Sequence, residues 1–76
     1  MLVEDLIARL QLLDPKLRVL SSGYEGGYND IKIVEPTRVA LDVHSEWYYG
    51  PHENEHDYHV MDNKDKYTIV DAIFVG

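Results

Sequence analysis

The stretch Leu2-Val3-Glu4-Asp5-Leu6-Ile7-Ala8-Arg9-Leu10-Gln11-Leu12-Leu13-Asp14-Pro15 decides how the chain is read. Leu2, Val3, Leu6, Ile7, Leu10 and Leu13 recur at steps of three and four, which places them on one face of a helix. Glu4 and Asp5 fall in the first turn, where negative charge complements the helix dipole. Asp14-Pro15 ends the helix, because a residue before proline is pushed out of the helical region.

Beyond the proline the pattern changes to strands and turns. Leu17 to Leu20 reads as a short strand entering a Gly-Tyr loop, and Ile31 to Val34 as the strand leaving it. Pro36 marks a turn. Val39, Leu41 and Val43 alternate with Arg38, Ala40 and Asp42, the period-two signature of a half-buried strand. The polar run from His44 to Asp57 is long for a small domain, which makes it functional or mobile. Tyr58 to Met61 reads as a strand, and Asp62-Asn63-Lys64-Asp65 has turn chemistry. Tyr67 to Val75, rich in β-branched and aromatic residues, reads as a central strand. The expected fold is α+β: an N-terminal helix packed on a small, mainly antiparallel sheet of about four to five strands, as a single domain over residues 1–76. If the Tyr67–Val75 strand lay at an edge it would need covering, and a homodimer is one way to cover it.

Composition excludes several function classes. There is no cysteine, hence no disulfide framework, thiolate metal site or thiol nucleophile, which fits a reducing cytoplasm. The net charge of −7, from 14 acidic against 7 basic residues, disfavours direct contact with nucleic acid or an anionic membrane. It is compatible with a partner protein that has a basic surface, against the alternative that the acidity only keeps a small protein in solution. The N-terminal segment shows neither a signal peptide nor a membrane span.

Two loops hold most of the aromatic and glycine content. Ser21-Ser22-Gly23-Tyr24-Glu25-Gly26-Gly27-Tyr28-Asn29-Asp30 and Trp47-Tyr48-Tyr49-Gly50-Pro51-His52-Glu53 together carry five of the seven Tyr and Trp residues and four of the five glycines. Tyr and Trp bury large areas with few rotatable bonds, so Tyr24, Tyr28, Trp47, Tyr48 and Tyr49 are the expected binding anchors. Three aromatics in a row cannot all face one side of a strand. Glu25, Asp30, Glu46 and Glu53 are placed to steer a basic partner at the rim. The alternative is that these aromatics cap the protein's own core, with the loop glycines at positive φ in a hairpin connection.

His52-Glu53-Asn54-Glu55-His56 matches the H-E-x-x-H pattern of zinc hydrolases, in which two histidines one helical turn apart hold zinc and the glutamate polarises a bound water. The surrounding segment is polar, with no apolar face to dock a helix, and a third ligand would have to come from His59, His44 or Asp57. His52 and His56 therefore stand as metal-ligand candidates, with zinc as the implied ion, against the reading of a solvated loop. Gly23-x-x-Gly26-Gly27 fails as a phosphate loop, since it carries Glu25 and Asp30, lacks lysine and runs into a strand. Ser21, Ser22 and Ser45 have no nucleophile context.

Leu6-Ile7-x-x-Leu10-x-x-Leu13-Asp14-Pro15, with Val19 and Gly23-Tyr24-Glu25-Gly26-Gly27-Tyr28-x-Asp30-Ile31, resembles a group of small uncharacterised proteins of bacteria, phages and prophages. Trp47-Tyr48-Tyr49-Gly50-Pro51-His52-Glu53 is similar to the second motif of that group. The resemblance brings no activity with it. It implies that the two loops belong together, and it implies a mobile-element setting in which small acidic proteins block host factors. The leading expectation is a non-enzymatic, cytoplasmic binding protein, an inhibitor docking on a basic host surface. The alternatives are a metal-dependent hydrolase or metal-binding protein built on His52 and His56, and a protein that sequesters a small ligand with its aromatic loops.

Overall fold

Helix α1 runs from Val3 to Leu10, shorter than the apolar stripe that predicts it. Leu12 and Leu13 donate to the carbonyls of Arg9 and Leu10, at 3.3 and 3.0 Å, so the helix tightens into turns before it reaches Asp14-Pro15. The Asp14 carboxylate then accepts the Lys16 N–H at 2.9 Å, an Asx turn that redirects the chain. At the other end the Asp5 carboxylate accepts the Leu2 N–H at 2.8 Å. Leucine has no side-chain oxygen to return the bond.

The computed structural model describes residues 1–76, which divide into two units: residues 1–34 with 75–76, and residues 35–74. In the first unit, β1 (Leu20–Ser22) and β2 (Tyr28–Asp30) form an antiparallel hairpin with Leu20 opposite Asp30 and Ser22 opposite Tyr28. The strands expected at Leu17–Leu20 and Ile31–Val34 are thus displaced toward the loop by two to four residues, since local pattern places strand ends loosely. The turn itself is closed by Gly27 N–H donating to the Tyr24 carbonyl at 3.1 Å. Its two central residues, Glu25 at φ +50° and Gly26 at φ +78°, are both left-handed, as in the type I′ turns that match strand twist. Only Gly26 of the three loop glycines uses positive φ. Gly23 serves close approach instead, since a Cβ there would lie 3.1 Å from the Gly27 carbonyl.

The second unit is built on a three-stranded sheet in the order β4-β3-β5, whose outer residues Val34 and Val75 belong to the first unit. Strand β3 is Val34–Ala40, β4 is Glu53–Asn54 and β5 is Ile69–Val75. β4 pairs antiparallel with the end of β3, Val39 opposite Asn54 and Ala40 opposite Glu53. The fold class is α+β with two small antiparallel sheets.

Three expectations are corrected here. Pro36 lies inside β3 and marks no turn. It is tolerated because β4 pairs only with Val39 and Ala40, which leaves one side of the strand unpaired at Pro36. β5 lies at the edge of the sheet, and β3 takes the central place. Tyr58–Asp62 is helix α2, not a strand: the Asp57 carboxylate accepts the N–H groups of His59 and Val60 at 3.0 and 3.3 Å and starts the turn. The Asp62–Asp65 segment does turn, leading into a short 3₁₀ helix at Lys64–Lys66. Two side chains are fully buried, Ala40 at the end of β3 and Val60 in α2, and both belong to the second unit.

Candidate functional site

The polar run after β3 is organised by its ends. Asp42 takes a left-handed conformation at φ +54°, turning the chain away from the sheet. Val43 and His44 N–H groups then both donate to the carbonyl of Pro51, at 2.7 and 3.1 Å. Beside them the Asp42 N–H donates to His52 Nδ1 at 3.0 Å. That bond makes Nδ1 an acceptor and leaves the ring proton on Nε2. Residues 43 and 51 are therefore joined at the base of a closed loop, of the compact surface kind that often carries function.

The aromatic triplet rides on this loop. The Tyr49 N–H donates to the Glu46 carbonyl at 3.2 Å, which folds Glu46–Tyr49 into a turn. Trp47 and Tyr48 meet edge to face with centroids 5.6 Å apart, and Tyr48 and Tyr49 lie tilted at 4.8 Å. Both spacings fall in the favourable range for aromatic pairs. Tyr49 continues the stack onto the His44 ring at 5.2 Å. His44 Nε2 in turn lies 3.0 Å from Glu53 Oε2. A continuous chain of contacts thus joins Trp47, at 92% exposure, to β4 of the sheet.

Of the residues singled out by sequence, the loop brings together Trp47, Tyr48, Tyr49 and Glu53, with Glu46 at the turn. His44 is the member that sequence reading placed wrongly in emphasis: it was a spare metal ligand, and it is the link between the aromatics and Glu53. Tyr24, Glu25, Tyr28 and Asp30 sit on the hairpin of the other unit. Tyr24 and Tyr28 are strongly exposed there, and Asp30 pairs with Arg18 at 3.6 Å. Their own aromatic rings are not in contact with a partner ring, so the hairpin offers separate side chains where the second loop offers a cluster.

The H-E-x-x-H segment does not form the helix that zinc chemistry requires. His52 precedes β4, Glu53–Asn54 are β4 itself, and Glu55-His56 lie in the turn after it. Asn54 accepts the His56 N–H at 2.8 Å and holds that turn. The two histidines are committed elsewhere, His52 to the Asp42 N–H and His56 to Glu55 at 3.5 Å. His59, offered as a third ligand, bonds the Tyr67 hydroxyl at 2.8 Å. No group of three His, Asp or Glu side chains is placed to hold a metal ion.

A shallow depression of about 360 Å³ lies along β3, lined among others by Arg38, Glu55, His56 and Asp71. Arg38 is held there between Glu55 and Asp71, at 3.4 Å from each. Its charge is matched by two carboxylates before any ligand arrives. No helix is long and apolar enough to cross a membrane. Comparison with protein families, with curated proteins and with solved structures finds no match to this chain.

Proposed function

We propose that this protein is a non-enzymatic binding protein, whose second unit docks on a basic surface of another protein through the Trp47-Tyr48-Tyr49 cluster. The observation that carries the reading is the cluster itself: three aromatic rings in edge-to-face and tilted contact, exposed yet held by a closed loop. Rigid aromatics presented this way make contact area at low cost in conformational entropy. The unit that bears them has nine acidic residues against three basic ones, so it carries almost all of the net charge. Such a surface attracts a basic partner at long range and repels polyanions. Glu46 and Glu53 form the rim and act on the association rate.

Tyr24 and Tyr28 on the hairpin supply a further contact patch in this reading. We extend the proposal to an inhibitor of a host protein, the setting implied by the resemblance drawn from the two loop motifs alone.

The test is affinity capture by the whole chain from nuclease-treated lysate, beside a Trp47→Ala, Tyr48→Ala variant. One stoichiometric basic protein, released by added salt and absent with the variant, supports the proposal. Equal capture by the variant overturns it.

A further inference from the structure

The aromatic contacts of the second unit run in one line, and Trp47 is its open end. Tyr48 lies between Trp47 and Tyr49, at 5.6 and 4.8 Å, and Tyr49 lies between Tyr48 and His44, at 4.8 and 5.2 Å. Trp47 touches one ring only, at an interplanar angle of 85°. An edge-to-face contact takes at most one face of the indole, so the other has no ring against it. That face is the negative side of the ring quadrupole, and indole is the best of the aromatic side chains at holding a cation. All four rings belong to the second unit.

The surrounding chain supplies no cation to this face. Between Arg38 and Lys64 there is neither lysine nor arginine, and the same stretch holds six carboxylates. Arg38 itself is engaged by Glu55 and Asp71 at 3.4 Å each. Glu46, adjacent to Trp47 and at the start of the same turn, enters no ion pair. An open indole face with an uncompensated carboxylate on the neighbouring residue suits a cation from outside.

Shape decides which cation. A guanidinium is planar and weakly hydrated, so it lies flat on a ring while its edge N–H groups still reach a carboxylate. An ammonium is a strongly hydrated point charge and gives up more water to meet the same ring. A nucleobase also covers an aromatic face, but its phosphates meet the acidic loop. Resting on the docking role proposed above, we infer that the Trp47 face is an arginine subsite, in which a partner's guanidinium lies on the indole and donates to the Glu46 carboxylate. The partner's basic surface is therefore distinguished by arginine, and lysine does not replace it.

The test uses dye-labelled, end-capped hexapeptides of arginine, lysine and citrulline, titrated against the full chain at low salt and read by anisotropy. Citrulline keeps the planar head group and removes its charge. The arginine peptide is expected to bind about threefold or more tighter than the lysine peptide, the scale of an exposed cation–π contact, and the citrulline peptide most weakly. In Trp47→Leu the arginine and lysine peptides are expected to bind alike, and Glu46→Gln is expected to narrow the gap between them. Tyr58→Leu removes an exposed ring elsewhere on the same unit and is expected to keep the preference. Equal affinity for the arginine and lysine peptides in the wild type, or a preference that survives Trp47→Leu, overturns the arginine subsite and leaves docking on a basic surface standing. Binding of neither cationic peptide overturns both. The wild-type comparison stands even where a variant unfolds.

Discussion

His44 Nε2 lies 3.0 Å from Glu53 Oε2, a side-chain bond that ties the aromatic loop to strand β4 across nine residues of sequence. Both groups are about one-third exposed, so the contact is weakened by water, but its geometric consequence is direct. Tyr49 stacks on the ring that this bond orients.

Replacing Glu53 with Gln keeps a hydrogen-bonding group, whereas His44→Ala removes the ring and its stack together. The expected cost of His44→Ala is about 0.5–1 kcal/mol of unfolding free energy, with a smaller loss for Glu53→Gln. The more sensitive readout is the polarisation of Trp47 fluorescence, which falls in His44→Ala as the cluster loosens. Unchanged polarisation would show that the loop is held without His44.

The hairpin turn contains a strained residue beside a relaxed one. Glu25 holds φ +50° with a side chain attached, at a cost of about 1 kcal/mol for a residue outside glycine. Glu25→Gly is therefore expected to leave stability unchanged or raise it by up to about 1 kcal/mol. Gly26→Ala loses about the same amount, and for a backbone reason alone, since an added Cβ meets nothing within 4 Å. Urea denaturation of the two variants checks the opposite signs.

Helix α2 depends on its first residue. The Asp57 carboxylate satisfies two N–H groups of a helix only five residues long, so Asp57→Ala is expected to cost about 1–2 kcal/mol. Asp57→Asn retains the acceptor and most of the stability. Equal losses in Ala and Asn would point to the charge of Asp57 and away from its role as a cap.

The same turn of that helix carries a second test. Val60 is fully buried and its neighbour Met61 is nearly half exposed. Val60→Ala is expected to cost about 2 kcal/mol, and Met61→Ala less than half of that. Denaturation midpoints measured on both variants decide the order, and its reversal would relocate the core.

How much of this was legible in the sequence follows from where each signal lies. Helix α1 was readable because its evidence is contained in one stripe, and β5 because its β-branched run is continuous. Helix α2 was missed: Tyr58-His59-Val60-Met61 suits a strand by composition, and the deciding bonds come from Asp57 just outside it. Pro36 misled for a similar reason, since proline is barred from a strand only where its missing N–H faces a partner. At the candidate site the aromatic triplet was visible as residue types. Its link through His44 to Glu53 was not, because a contact between residues nine apart depends on how the loop closes. The H-E-x-x-H pattern shows the converse. A spacing rule written for helices has no force on residues that form a strand and a turn.

The Pro51 carbonyl, with its two donors Val43 and His44, marks where the sheet ceases to constrain the chain. Pairing of Val39 with Asn54 and Ala40 with Glu53 lies wholly on the near side of that junction. Residues 44–50 can consequently lengthen, shorten or change composition while β3 and β4 keep their register, since doubling a loop adds only about 0.6 kcal/mol of closure entropy. The loop is in effect an interchangeable insert, and under the proposed binding role new partners could be tried through it without rebuilding the frame that presents it.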